Sequence, residues 1–328
     1  MSAFLSAYGL FLAELLTLVV LVIVIVLLIA ASRRGGRGSG LHIDHLNRHF
    51  EDTADAVKRA MAGKRGKKEA KARSKERKRE EKARAKEDSP RPRLFVLDFK
   101  GDLRASAAAS LREEVSAVLG VATERDHVLL RLENPGGTVH EHGFAASQLM
   151  RIKQRKLRLL IAVDKVAASG GYLMACVADH ILAAPFAIIG SVGVVAQLPN
   201  FHRLLEEHGV DFEQLTAGRY KRTLTLFGKN TDEGREKLRQ ELEEVHELFK
   251  AQIREHRPQV DVEQIATGEH WYGVQALELK LVDELRTSDD FLIEAAKERD
   301  LYHIAFKRKR SLPERVLAGA ESLLSRES

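Results

Sequence analysis

The chain has 328 residues, carries 53 Lys or Arg against 47 Asp or Glu for a formal net charge of +6, and contains one cysteine, Cys176. This length suits one large domain with appendages. A single cysteine excludes an internal disulfide and a cysteine-based zinc site, and its apolar surroundings predict a small core residue. Histidines and carboxylates are scattered without the spacing of metal ligands, so we predict neither a metal nor a cofactor.

The N-terminal segment is apolar. From Leu15 to Ala31 only Thr17 interrupts an apolar run, and with Gly9 to Ala13 the stretch approaches the roughly 20 residues that a membrane-spanning helix needs. A cleaved signal peptide is the alternative, but no Lys or Arg precedes the run and its apolar core is longer than usual. We therefore interpret residues 1–31 as an uncleaved transmembrane anchor.

The flank after this anchor is basic. Arg33, Arg34 and Arg37 follow the apolar run, whereas residues 1–8 carry no charged side chain. By the positive-inside rule this asymmetry places the rest of the chain in the cytoplasm, although large domains translocate largely regardless of such charges.

Residues 32–88 are predicted to form a basic tether. Residues 41–57 suit a short amphipathic helix, and residues 58–86 contain fifteen Lys or Arg against four Glu. A segment without an apolar stripe is a solvated helix or a disordered linker. Beside an anchor, its expected partner is the anionic lipid surface. Nucleic-acid binding is disfavoured, because no aromatic residues are interleaved for stacking and no recognised binding module encloses the run.

A globular domain is expected over residues 89–300, followed by a basic and then amphipathic tail over residues 301–328. Its strands alternate with helices, which predicts a parallel α/β architecture with the active site at loops beyond the carboxyl ends of strands. The predicted strands are 94–99, 128–132, 157–163, 181–183 and 212–216, and the predicted helices are 107–119, 143–155, 201–208, 232–257, 273–281 and 290–299.

Two loops after predicted strands are candidates for this site, residues 133–138 and the turn that carries Ser169. The apolar stretch 157–163 leads into the turn Val166-Ala167-Ala168-Ser169-Gly170-Gly171-Tyr172, and small and apolar residues follow it, which predicts a strand, a tight turn and a buried helix. This arrangement presents a hydroxyl and unpaired N–H groups at a helix N-terminus. The hydroxyl can attack a carbonyl carbon there, and the N–H groups can stabilise the oxyanion that forms. The alternative is that Ser169 caps the helix, the commonest reason for a serine at a helix start.

A nucleophilic serine needs a general base. Histidine is the first candidate, and spacing excludes none of those in the globular part, because triads assemble from distant segments. A lysine base is the alternative, and it must be buried to lose its proton near neutral pH. Lys221 differs from the lysines of the charge runs because it follows a strand-like segment and a glycine turn. The histidines are His127, His140, His142, His180, His202 and His270.

An ordered series of motifs extends from about Leu94 to Arg286. The motifs are Asn134-Pro135-Gly136-Gly137, Ala168-Ser169-Gly170-Gly171-Tyr172, Gly190-Ser191-Val192-Gly193, Gly218-Arg219-Tyr220-Lys221, Trp271-Tyr272-Gly273 and Leu281-Val282-Asp283. This series resembles the S49 peptidases, the group of the signal-peptide peptidase SppA. The anchor with its basic tether looks most like an inner-membrane member of that group.

The resemblance implies a ClpP/crotonase-like fold and a Ser-Lys dyad, with Ser169 as nucleophile and Lys221 as general base. Ser191 would hydrogen-bond the lysine amine and help to aim it. Members with a periplasmic catalytic domain conflict with the membrane side that the positive-inside rule gives, so both sides stay open.

The resemblance also implies an oxyanion hole made by the backbone N–H groups of Gly170 and of Gly136 or Gly137. Substrates would be extended, largely apolar peptides, such as signal-peptide or membrane-protein fragments, and a homo-oligomer is expected. The chain departs from the SppA group at Glu133-Asn134 and at Arg222-Thr223, where substrate pockets could differ.

Two other functions stay open. An acyl-CoA enzyme of the crotonase type would use the same oxyanion N–H groups without a serine nucleophile. An inactive membrane scaffold would carry the motifs without hydrolysing a peptide.

Overall fold

The computed structural model describes residues 9, 14–19, 40–62, 75 and 91–307. Contacts divide the chain into residues 42–305, which hold the sheets and their helices, and a second unit of residues 1–41 and 306–328, in which residues 14–19 are helical. Within the described part of the chain, no helix combines the length and the apolar character that crossing a membrane requires. Most of the predicted anchor, most of the basic run and most of the tail lie outside the described residues.

A seven-stranded sheet forms the centre of the larger unit, in the order β1-β10-β2-β3-β4-β6-β9. From β10 through to β9 the neighbouring strands are parallel. The strands are β1 (Gly40–His45), β2 (Arg93–Lys100), β3 (His127–Glu133), β4 (Arg158–Val163), β6 (His180–Ala183), β9 (Glu284–Leu285) and β10 (Asp300–Lys307). This parallel arrangement confirms the predicted α/β architecture.

Helices cover both faces of this sheet. Alternate residues of β2 divide between two apolar layers, with Phe95, Leu97 and Phe99 in the larger layer and Leu94 and Val96 in the smaller. The helices are α1 (46–62), α2 (Ala108–Leu119), α3 (Val139–Gln154), α4 (Gly170–Ala175), α5 (His202–Glu207), α6 (Asp232–His256), α7 (Val262–Ile265), α8 (Gly273–Glu278) and α9 (Ser288–Glu298).

A second, three-stranded sheet positions the serine turn. It consists of β5 (Val166–Ala168), β7 (Ile188–Gly190) and β8 (His270–Tyr272) in the order β5-β7-β8. A single parallel bridge between Asn134 and Ala167 joins its first strand to the end of β3. The carboxyl ends of β3, β5 and β7 therefore converge on one region.

The structure differs from the sequence-based expectations in four segments. The strand that leads directly into the Ser169 turn is β5 of the small sheet, not the predicted strand 157–163, which is β4 of the main sheet. Residues 41–45 are a strand, not the first turn of a helix, because they line up at the edge of the main sheet, where the His45 ring packs edge-on against Tyr302. Residues 212–216 are not a strand; Phe212 packs on Phe227 instead, and the segment has no strand to pair with among the described residues. Residues 300–307, of which 301–307 were assigned to the tail, form β10 inside the main sheet.

Candidate active site

Ser169 stands at the junction between β5 and α4 in a strained conformation. Its φ of 52° and ψ of −121° lie where non-glycine residues are rare. The backbone N–H of Ser169 donates to the Gly190 carbonyl oxygen over 2.7 Å, which holds the turn against β7. A sharp strand-to-helix turn of this kind lifts a serine hydroxyl clear of the sheet.

The hydroxyl of Ser169 does not cap the helix that follows. The side chain makes no capping hydrogen bond at the start of α4. Ser169 therefore occupies the N-cap position without capping the helix through its side chain, and its hydroxyl has no hydrogen-bond partner in the described part of the chain.

The loop after β3, residues 134–138, lies directly against Ser169; we call it the glycine loop. Gly136 has a φ of 94°, and a Cβ atom added there would stand 2.8 Å from Ser169 Cβ and 3.0 Å from the Gly170 nitrogen. Only glycine can both adopt this conformation and allow this approach. The two loops that the sequence singled out are in contact.

The backbone N–H groups of these two loops differ in whether they already donate a hydrogen bond. Gly136 N–H donates to the Asn134 Oδ1 atom over 2.9 Å, so this group is already paired. The N–H groups of Gly137 and Gly170 have no hydrogen-bond acceptor among the described residues. Between the alternatives of Gly136 and Gly137, the hydrogen bonding favours Gly137 as an oxyanion donor.

Ser191 lies beside Ser169 because their strands are paired in register. Ala168 of β5 is the partner of Gly190 of β7 in a parallel pair, so the residues that follow the two strands are neighbours. Ser191 also has a positive φ, 52°, and its N–H donates to the Glu269 carbonyl oxygen over 2.6 Å. The two serines thus occupy adjacent turns at the same end of the small sheet.

Lys221 is not buried within the single chain. Its side chain is exposed, and its backbone N–H donates to the Gly218 carbonyl oxygen over 3.1 Å. No hydrogen bond or ion pair in the described part of the chain joins Lys221 to Ser169. The structure brings Ser169, Ser191 and the glycine loop together, and leaves Lys221 on the surface.

The candidate histidines have other partners. His127 lies beside Arg299 and Arg158, and its burial together with those charges lowers its pKa to about 4. His180 faces Glu284, and His140 is 81% exposed in its side chain. The described contacts pair none of the six with the Ser169 hydroxyl.

His142 is buried under the glycine loop, a placement that the sequence analysis missed. It is fully buried on α3, and a Cβ atom added at Gly170 would stand 2.5 Å from its ring. Its spacing from Ala145, Ala146 and Leu149 is that of one helix face, which could have predicted its burial.

Cys176 is the small core residue that the sequence predicted. It is fully buried at the C-cap of α4, and burial raises the pKa of its thiol to about 12. The described residues contain no group of three or more His, Cys, Asp and Glu side chains that could hold a metal ion.

Comparison with known families decides which group the chain belongs to. The description "Peptidase family S49 N-terminal" matches residues 3–149, and "Peptidase family S49" matches residues 151–302. The chain belongs to peptidase family S49. It is therefore a member of a family of serine-type peptidases, as the motif series predicted.

Curated relatives agree with this family. "Probable protease SohB" of Haemophilus influenzae is 49% identical over 319 residues, which cover 94% of this chain and 90% of that protein. "Probable protease SohB" of Buchnera aphidicola subsp. Acyrthosiphon pisum is 54% identical over 235 residues, 72% of this chain and 70% of that protein. The member of the group that the chain resembles is thus SohB.

Among solved structures, the chain is similar to a variant of the 1510-N membrane-bound stomatin-specific protease, with 13% identity and a TM-score of 0.42. That match covers 63% of this chain and 85% of the other. A second variant, in complex with a substrate peptide, has 12% identity and a TM-score of 0.43, over 70% of this chain and 98% of the other.

Proposed function

We propose that this chain is a membrane-anchored serine endopeptidase that hydrolyses extended, largely apolar peptides through a dyad of Ser169 and Lys221 on a ClpP/crotonase-like fold. Residues 1–31 would form a single-pass anchor in the bacterial inner membrane, and the basic tether would lie along anionic lipid head groups. Fragments of signal peptides and membrane proteins are apolar and extended, and they would occur at the membrane in which the chain is anchored.

The proposed reaction is acyl transfer. Neutral Lys221 takes the proton of the Ser169 hydroxyl, and the alkoxide attacks the peptide carbonyl carbon. The N–H groups of Gly137 and Gly170 bind the oxyanion, and the Lys221 ammonium returns its proton to the leaving amine. Water then attacks the acyl-serine ester, again through Lys221, and releases the second product.

One observation carries this proposal, the strained Ser169 turn, whose hydroxyl makes no capping hydrogen bond and stands beside two N–H groups that have no acceptor among the described residues. Strain in the backbone persists only where the surrounding structure enforces it, and such residues concentrate at active sites. The contact between the Gly136 backbone and Ser169 supports a role for both loops in one site. Ser191 on the adjacent turn is in a position to orient a lysine amine that approaches Ser169.

The exposure of Lys221 supports a homo-oligomer. A lysine that acts as a base must be desolvated, and the surface of one chain does not desolvate Lys221. The segment that carries Lys221 exposes large apolar side chains, and Leu215 is 94% exposed. We propose that a second copy covers this segment and buries the lysine. The apolar residues are Val195, Leu198, Phe201, Leu204, Val210, Phe212, Leu215, Tyr220, Leu226 and Phe227.

Hydrolysis by single-site variants of the full-length, detergent-solubilised chain tests the dyad. With a signal-peptide-like substrate, Ser169→Ala and Lys221→Ala are each expected to lower kcat by at least about a thousandfold, because nucleophile and base act as a unit. Lys229→Ala is the matched control, an exposed lysine of the same segment, and should keep wild-type activity.

The outcomes separate the alternatives. Unchanged hydrolysis in Lys221→Ala would refute the dyad. A folded wild type that hydrolyses no peptide would favour the scaffold, and acyl-CoA turnover that survives Ser169→Ala would favour crotonase-type chemistry.

A further inference from the structure

The buried imidazole of His142 faces an oxygen acceptor on each side. Its Nδ1 atom lies 2.9 Å from the Thr138 carbonyl oxygen, and its Nε2 atom lies 3.2 Å from Asn134 Oδ1. A neutral imidazole carries one N–H group; placed at Nε2, it donates to the Asn134 side chain. The ring is fully buried, so this hydrogen bond is shielded from water.

The Asn134 side chain links this histidine to the glycine loop. Its Oδ1 atom accepts from Gly136 N–H over 2.9 Å and lies 3.2 Å from His142 Nε2, and its Nδ2 atom donates to the Met174 sulfur over 3.3 Å. The Gly136 N–H group fixes which end of the amide is oxygen, because an amide nitrogen there would face this donor with N–H groups of its own.

The space around Asn134 is closed. A Cβ atom at Gly101 would stand 2.2 Å from Asn134 Oδ1, and one at Gly171 would stand 2.1 Å from the Asn134 carbonyl oxygen. Asn134 is fully buried, and its backbone also bridges to β5 through Ala168 N–H over 3.0 Å. A change at His142 therefore acts on a side chain that has no room to find another partner.

We propose that His142 is a positioning residue for the oxyanion hole, an inference that rests on the proposed peptidase function. His142 holds the Asn134 amide, which keeps Gly136 N–H turned inward and leaves Gly137 N–H free. Its ring also packs beneath Gly170, the second proposed donor. One side chain thus supports both backbone donors.

If His142 positions the oxyanion hole, its replacement should affect kcat more than KM. Oxyanion donors act on the transition state, so a misplaced donor lowers kcat more than it changes KM. A displacement of about 1 Å at a catalytic group costs on the order of a hundredfold in rate.

The test compares His142→Leu, His142→Gln and the control His140→Leu in the full-length, detergent-solubilised chain. His142→Leu should lower kcat about 10- to 100-fold with KM within about twofold, and should slow fluorophosphonate labelling of Ser169 by the same factor. His142→Gln, whose amide N–H can donate to Asn134, should recover most of the loss. His140→Leu lies on the exposed face of the same helix and should match the wild type.

Two variants of the acceptor residue, Asn134, test the same proposal and decide it even if His142→Leu does not fold. Asn134→Asp keeps an oxygen for both donors and should retain kcat within about threefold, whereas Asn134→Leu removes it and should match the loss of His142→Leu. Unchanged kcat in folded His142→Leu, or equal activity of the two Asn134 variants, would overturn the inference.

The wild type distinguishes this failure from failure of the peptidase proposal. If the wild-type chain shows no hydrolysis that depends on Ser169, the proposed function is wrong. If the wild type hydrolyses peptide through Ser169 and the His142 variants do not differ from the His140 control, only the positioning role is wrong.

Discussion

At the scale of single residues, Ser169 has a strained backbone conformation. A serine at φ 52° costs on the order of 1–3 kcal/mol relative to a relaxed backbone. The bond from Ser169 N–H to Gly190, the approach of Gly136 and the start of α4 at Gly170 hold it there. In this conformation the Ser169 side chain makes no capping hydrogen bond to α4.

A methyl group at Gly136 should disable the site. Gly136→Ala places a Cβ atom 2.8 Å from both Ser169 Cβ and the Ala168 carbonyl oxygen, at a φ that alanine resists. We expect kcat to fall at least about a hundredfold, because the nucleophile and the loop must separate. Steady-state hydrolysis is the measurement.

Gly143→Ala is the control for this variant. Gly143 lies in α3 with nothing within 4 Å of an added Cβ atom, so alanine should keep the activity and raise stability by up to about 1 kcal/mol. Retained activity in Gly136→Ala would contradict the contact between the two loops.

At the scale of elements, one carboxylate joins the starts of two central strands. Asp126, just before β3, accepts from the Arg93 backbone over 2.7 Å and from the Arg93 guanidinium over 2.6 Å, and also from Thr123. Burial alone would raise the pKa of Asp126, but the hydrogen bonds from Arg93 and Thr123 outweigh it and lower the pKa to about 2.

The stability that Asp126 contributes should therefore depend on pH. Its pKa in the folded state lies below the ordinary value of 3.8, so the contribution is complete above that value and disappears as the pH falls through about 2. Asp126→Asn should lower the free energy of unfolding at pH 7 by about 1–3 kcal/mol.

Chemical denaturation at several pH values measures this difference. The gap between the wild type and Asp126→Asn should narrow as the pH falls from about 4 towards 2. A gap of constant size across that range would contradict the role of the carboxylate charge.

Sequence patterns predicted the long elements well and the short ones poorly. Parallel strands buried on both faces are continuous apolar runs, so β2, β3, β4 and β6 were found. The three-residue strand β8 is too short to show a period, and β10 mixes Asp, His and Lys with its apolar residues. The strand expected at residues 212–216 was wrong because a short apolar pattern does not say whether a partner strand exists.

The candidate site was predictable to the same degree. The serine turn and the glycine loop both follow strands, and parallel topology brings such loops together. The link from His142 through Asn134 was not predicted, because it depends on side chains from a helix and a loop that meet only in the fold. The burial of Lys221 could not be predicted from the sequence of one chain, because in our proposal a second copy of the chain provides it.

At the scale of the whole molecule, the exposed apolar segment around Lys221 should determine both assembly and activity. Leu215→Asp puts a charge on a side chain that is 94% exposed in the single chain, so it should not disturb the fold. It should weaken the oligomer and reduce hydrolysis at least about tenfold, because a charge buried in an apolar interface is costly. Chemical crosslinking and activity of the same preparation measure the two effects.

Val121→Asp is the control for this prediction. Val121 is 58% exposed and precedes β3, at the end of the main sheet opposite the serine turn. It should leave both crosslinking and hydrolysis unchanged. A fully active monomer of Leu215→Asp would contradict the proposal that a second copy completes the site.

The most direct measurement is fluorophosphonate labelling of the full-length chain, with the modified residue located by mass spectrometry of its peptides. We predict a single label on Ser169, formed at least about a hundredfold more slowly in Lys221→Ala and at the wild-type rate in Lys229→Ala. A label on another residue, or an unchanged rate in Lys221→Ala, would contradict the Ser169–Lys221 dyad.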